Sequence, residues 1–157
     1  MDKHKRVSDS YTQHVQILSQ GTLNGYKRLF GGKLMEWIDI VAAVVARRHS
    51  GCNVTTACVD SLVFKRAAYA NDTISIEGYI TYAGKTSMEI CVETYVEHLS
   101  GKKDIINTAY LIMVAIDEDG NPTSVPKLIL ETDDEREKFE AALKRKEYRN
   151  LRQDNNF

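Results

Sequence analysis

Phe30-Gly31-Gly32-Lys33-Leu34-Met35-Glu36-Trp37-Ile38-Asp39-Ile40-Val41-Ala42-Ala43-Val44-Val45-Ala46-Arg47-Arg48 is the stretch on which the fold turns. Leu34, Trp37, Ile38, Val41 and Val45 recur at helical spacing, and Ile40, Val44 and the alanines make the other faces apolar too. That pattern predicts a helix wrapped by protein on most sides. One carboxylate, Asp39, falls inside the apolar run. Three, four and seven positions from it stand Met35, Ala42, Ala43 and Ala46, a smooth stripe that lets another chain or a ligand come close. Two readings of Asp39 follow. It is either a polar residue on a partly wet edge, bonded to nearby backbone, or a carboxylate placed there to react. Gly31-Gly32 at the helix start favours the second, because glycines let a ligand reach the free N–H groups of the first turn, where the helix dipole favours negative charge.

Before the helix, residues 1–10 are polar and expected to be loose, and His14 to Leu18 suits a short strand. A loop with Gly21, Asn24 and Gly25 follows. Asn24-Gly25 is a turn signal; the alternative is an amide aimed at a substrate carbonyl or a water. After the helix, Ser50-Gly51-Cys52-Asn53 is a stop and turn. The chain then reads as β. Val54 to Phe64 alternates loosely, with Ala57, Val59, Ser61 and Val63 opposite Thr56, Cys58, Asp60, Leu62 and Phe64. Lys65 to Asp72 is a connection. Ile74, Ile76, Ile80 and Tyr82 then oppose Thr73, Ser75, Glu77 and Thr81; beyond the turn at Ala83-Gly84-Lys85, Met88, Ile90, Val92, Thr94 and Val96 oppose Ser87, Glu89, Cys91, Glu93 and Tyr95. Ile105 to Ile116 is apolar on both faces, as in a central strand. Thr132-Asp133-Asp134-Glu135 is a capping box that opens a helix to about Leu151. Its basic end, Lys144 to Arg152, suits the helix dipole. The order is that of an α+β domain in which an antiparallel sheet curls around a long central helix, and open strand edges invite a second copy.

At 157 residues the chain is one domain by size, residues 1–157, with room for a core. Its net charge of −1 argues against a general nucleic-acid partner, which needs a basic face. The three cysteines, Cys52, Cys58 and Cys91, lack metal-type spacing and read as reduced thiols. No pair among the four histidines has ligand spacing on one helix face, so no metal site is expected. No stretch suits a bilayer span, no apolar leader follows the charged N-terminus, and a cytoplasmic protein is the default. Gly-x-Ser-x-Gly is absent, so no serine hydrolase elbow is present.

Taken together, several blocks resemble the hotdog-fold acyl-CoA thioesterases, the acyl-CoA hydrolase group. They are Asn24, Gly31 to Asp39, Arg48-His49, Ala57 to Phe64, Tyr82 to Glu89 and Pro122 to Pro126, followed by a charged C-terminal helix. The resemblance implies a sheet around the helix, a homodimer paired edge to edge, and often a trimer of dimers. It implies hydrolysis of fatty acyl-CoA to fatty acid and CoA, with no cofactor, since coenzyme A is part of the substrate. It also implies an active site at the dimer interface, with Asp39 from one subunit as general base or nucleophile and Asn24 from the other holding the carbonyl or the water. The oxyanion would be met by the backbone N–H of Gly32 or its neighbour, and Gly31, Arg66, Lys85, Thr86 and Ser87 are the substrate-binding candidates. Two departures stand out: Lys85 replaces an arginine, losing bidentate geometry, and Lys27 stands where relatives commonly have glycine. A non-catalytic acyl-CoA sensor or carrier is the alternative function. A hotdog dehydratase ranks last, because the only histidine near the helix is His49, at its far end.

Overall fold

The computed structural model describes residues 3–157. The central helix, α1 (Gly31–Ser50), ends at Gly51, whose φ of 69° is left-handed and whose N–H closes on Arg47 O at 2.8 Å. It is laid across a five-stranded antiparallel sheet of β2 (Thr12–Ile17), β3 (Asn53–Phe64), β4 (Thr73–Ala83), β5 (Ser87–Glu97) and β6 (Lys103–Ile116). The spatial order is β2-β4-β5-β6-β3. Leu34, Ile38, Val41, Ala42 and Val45 of the helix are buried against Ile74, Ile76, Ile80, Met88, Ile90, Leu111 and Met113 of the strands. At Gly78 of β4 a Cβ would lie 2.7 Å from Val41 Cγ1, so glycine lets the helix settle there.

The expectation of a helix covered on most sides holds for one side only. Ile40 is 54% exposed, and Val44 and Asp39 are half-buried. A single sheet face covers roughly half a helix, so the remainder of α1 is left open in one chain.

Alternation fails where the strands bulge. Between Ile80 and Tyr82 the pairing of β4 with β5 slips, and Tyr82 turns away from α1 to meet Phe139 on the opposite side of the sheet, ring centroids 5.4 Å apart. The β3 ladder slips twice, between Thr56 and Cys58 and between Val59 and Ser61. As a result Thr56 faces α1 while Asp60 faces the C-terminal helix, and the two-face division expected for β3 is corrected.

The N-terminus is not loose where it is described. Here β1 (His4–Arg6) pairs in parallel with β7 (Lys127–Ile129), Ser10 is fully buried, and Lys5 Nζ donates to Arg48 O at 2.8 Å. The strap crosses the C-terminal end of α1. Beneath it lies His49, fully buried, its Nε2 2.8 Å from Pro126 O.

On the far face of the sheet lies α2 (Asp133–Asn155), four residues longer than the sequence suggests. Its capping box forms: Thr132 Oγ1 accepts from Glu135 N at 3.1 Å and Glu135 Oε2 from Thr132 N at 3.4 Å. The basic residues near its end do more than suit the dipole. Arg145 grips the buried Glu89 with two nitrogens at 2.7 and 3.1 Å and stacks 3.8 Å from the Tyr110 ring. Arg149 and Arg152 both bind Asp60.

Candidate active site

Asp39 lies on the flank of α1 that faces β3, one of the two edge strands of the sheet. Its Oδ1 accepts the Thr56 hydroxyl at 2.7 Å, and Thr56 Oγ1 also lies 3.4 Å from Met113 Sδ. No other partner of the carboxylate occurs among the described residues, so Oδ2 is open. A hydroxyl has one proton, and giving it to Oδ1 fixes the plane of the carboxylate while keeping the second oxygen available. Sequence reading missed Thr56, because strict alternation groups it with Cys58 and Asp60 and the bulge that separates them leaves no clear mark.

At the N-terminus of α1, Lys33 N–H and Leu34 N–H both donate to Phe30 O, at 3.0 and 3.1 Å. The N–H groups of Gly31 and Gly32 precede them and have no intrahelical acceptor. A Cβ on Gly32 would sit 2.6 Å from the Phe30 ring, and one on Gly31 3.5 Å from Phe64. Gly32 must therefore be glycine if the Phe30 ring is to fold back, and both glycines keep the helix end approachable.

Asn24 heads a tight loop. Its N–H donates to Arg28 O at 2.7 Å, and its Oδ1 accepts the backbone N–H of Tyr26 and Arg28 at 2.9 and 3.2 Å. Since backbone N–H groups only donate, the oxygen must face them, and the Nδ2 hydrogens point away as free donors. The turn reading and the functional reading of Asn24 are thus compatible. Gly25 does not carry the left-handed conformation; Lys27 does, with φ 60°. A left-handed backbone suits glycine, and Lys27 adopts it at a cost.

The other candidates are dispersed. Arg66 lines a cleft with Asn24, while Lys85, Thr86 and Ser87 form the β4–β5 turn, where Lys85 O and Thr86 O accept from Val125 N and Ala115 N, each at 3.0 Å. The cleft that Asn24 lines does not include Asp39 among the described residues. Gly32 and Asp39 are seven residues apart on one helix, roughly 10 Å along its axis. One carbonyl carbon cannot be near both.

Among known proteins, the thioesterase superfamily matches residues 26–100. A Bacillus subtilis protein named as an uncharacterised acyl-CoA thioester hydrolase is 39% identical over 113 residues, covering 71% of this chain and 66% of that protein. A Zymomonas mobilis protein of the same kind of name is 38% identical over 115 residues, 71% of this chain and 76% of the relative. The rat cytosolic acyl coenzyme A thioester hydrolase is 35% identical over 83% of this chain, which spans only 36% of its length. Acyl-CoA hydrolase from Staphylococcus aureus, solved with butyryl coenzyme A and coenzyme A, superposes with a TM-score of 0.93 at 32% identity, covering 98% of this chain and 94% of that one. A hexameric acyl-CoA thioesterase superposes at 0.92 with 35% identity, covering 96% and 97%. Solved variants of the Staphylococcus aureus protein replace an asparagine, an aspartate or a threonine by alanine. Those three positions are separated by 15 and 17 residues, the same intervals as Asn24 to Asp39 and Asp39 to Thr56 here. By fold, by identity over nearly its whole length and by the matched superfamily, this chain belongs to the hotdog-fold acyl-CoA thioester hydrolases.

Proposed function

We propose that the protein hydrolyses fatty acyl-CoA thioesters, and that each active site is assembled from two copies of the chain. The observation that carries this reading is the Thr56-oriented carboxylate of Asp39, set on an open flank of α1 roughly 10 Å from its own helix N-terminus. The thioester carbonyl sits over Gly31-Gly32 of one subunit, where the Gly32 N–H and the Asn24 amide donate to the developing oxyanion, each such donor worth about 3 kcal/mol. Asp39 of the other subunit takes a proton from water through Oδ2 as the water oxygen bonds to the carbonyl carbon. The tetrahedral intermediate collapses, the carbon–sulfur bond breaks, and the proton returns from Asp39 to the leaving thiolate. Free acid and CoA result, and coenzyme A enters only as part of the substrate. The unpaired edge of β3 and the exposed Val59, Val63 and Phe64 beside it suit edge-to-edge pairing with a second copy. The hexameric relative supports a trimer of such dimers.

The test is release of free thiol from acyl-CoAs of graded length by the purified protein and by Asp39→Ala, Asn24→Ala and Thr56→Ala. Turnover by the parent, with large losses in folded oligomeric variants, is expected. Binding of acyl-CoA without thiol release would make the protein a sensor or carrier instead. Single-turnover hydrolysis in oxygen-18 water addresses the role of Asp39: label found in its carboxylate would mean direct attack through an anhydride rather than general-base catalysis.

A further inference from the structure

The flank of α1 away from Asp39 borders β2, the other edge strand of the sheet. Between the two runs a cleft of about 320 Å³. Trp37, Ile40, Val41 and Val44 make its helix side apolar, and β2 lines the other side with Thr12, His14 and Gln16 among others. Trp37, Val41, Val44 and Arg48 fall at positions i, i+4, i+7 and i+11 of α1, so Arg48 continues the same stripe, roughly 16 Å from Trp37 along the axis. Long side chains on a helix lean towards its N-terminus. The Arg48 guanidinium accordingly lies beside β2, where its Nη1 donates to Tyr11 O at 2.9 Å and to Thr12 Oγ1 at 3.1 Å. Thr12 therefore both lines the cleft and fixes a cation at its end. Arg145, Arg149 and Arg152 each hold a carboxylate. Arg48 pairs with none among the described residues, and the two bonds use only Nη1, so the Nε and Nη2 hydrogens are left as an open fork.

We propose that this cleft binds a long-chain carboxylate, with the carboxylate on the Nε–Nη2 fork of Arg48 and the aliphatic chain along Val44, Ile40 and Trp37. A guanidinium fork matches a carboxylate through two parallel hydrogen bonds. An apolar recess with a few placed polar groups is the ordinary form of a small-molecule site. The neutral thioester of an acyl-CoA does not satisfy the fork, whereas the fatty acid released by its hydrolysis carries the matching charge. The proposal rests on the thioesterase reading for the source of that acid alone. Asp39 is bonded to Thr56 of β3, at the opposite edge of the sheet from β2, so the cleft stands apart from the thioester site and the acid binds without displacing substrate.

Trp37 is the only tryptophan of the chain, and its fluorescence reports on the cleft directly. The purified oligomer is titrated with dodecanoate, with a terminally brominated dodecanoate as quencher, and with dodecanol, which keeps the chain and lacks the charge. Saturable quenching by the brominated acid is expected, with dodecanol binding about ten-fold more weakly, the worth of a hydrogen bond to a charged group. Arg48→Gln is expected to weaken the acid about ten-fold and leave dodecanol unchanged. Ile40→Glu, at a position 54% exposed, is expected to weaken both, and it carries the test if Arg48→Gln loosens β2. Equal binding in the parent and both variants, with dodecanoate competing against acyl-CoA, would put the acid in the thioester site and overturn the proposal. Absence of quenching in the parent, together with an oligomer that Ile40→Glu splits in light scattering, would show that a second copy of the chain fills the cleft and would equally overturn it. If the parent releases no thiol from acyl-CoA, the thioesterase reading fails by itself, and the dodecanoate titration still decides the cleft.

Discussion

The carboxylates on the two faces of the sheet are treated in opposite ways. On the α2 face, Glu89 is 1% exposed and accepts from Thr81 at 2.6 Å and from Arg145 through two nitrogens, while Asp60 is shared by Arg149 and Arg152. On the α1 face, Asp39 is half-buried, has one hydroxyl partner and no cation. A buried carboxylate saturated by guanidinium groups holds a helix in place and has no free lone pair for chemistry. A carboxylate held by a single neutral donor keeps one oxygen for a substrate or a water. The difference separates scaffold from site without any reference to relatives.

The largest effect that could break the contrast is kinetic. Asp39→Asn is expected to lower kcat by about 10²- to 10⁴-fold, with the denaturation midpoint nearly unchanged; steady-state thiol release and a urea melt read both. Next, Arg145→Ala leaves Glu89 buried without its bidentate partner and is expected to cost about 3 kcal/mol or more in urea unfolding, with kcat per folded site retained. If instead the Arg145 variant lost turnover while keeping stability, the division of labour between the faces would be wrong. Thr56→Val removes the donor to Asp39 at nearly constant volume. A drop in kcat of about ten-fold in steady-state thiol release is expected, in line with the loss of one hydrogen bond to a charged group.

His49 extends the contrast to a base. It is fully buried, with Nε2 on Pro126 O and Nδ1 without a partner, and burial pushes its pKa below the usual histidine value. The unfolded chain therefore takes up a proton as pH falls through about 6.5, and the folded chain does not. Stability present above that pH is lost below it. Melts at pH 5 and pH 7.5 should differ less in His49→Gln than in the parent. The smallest effect is at the loop: Lys27→Gly relieves a left-handed non-glycine residue and should add about 1 kcal/mol to stability, provided the Asn24 loop keeps its shape.

What could be read from the sequence tracks how local the cause is. The helix from Gly31, the capping box at Thr132 and the clean alternation of Met88, Ile90 and Val92 are set by near neighbours, and all appear as expected. Tyr82 and Thr56 escaped because a bulge changes the facing of every residue beyond it, and nothing in residue type announces a bulge. The strap at the N-terminus escaped for a similar reason. Its pairing partner lies more than a hundred residues away at Lys127–Ile129, and a three-residue polar strand has no periodicity to detect. Of the site, Asp39, Gly31 and Gly32 were visible as an anomaly in an apolar helix.

The central claim is that the active site needs two chains. Asp39→Ala and Asn24→Ala proteins, each inactive, should be mixed under conditions of verified subunit exchange and assayed for thiol release. In a randomised mixture half the dimers are mixed, and one of their two sites has both residues intact, so about a quarter of the parental activity should return. No recovery, with exchange demonstrated by mass spectrometry, would place Asn24 and Asp39 in the same subunit's site and contradict the account.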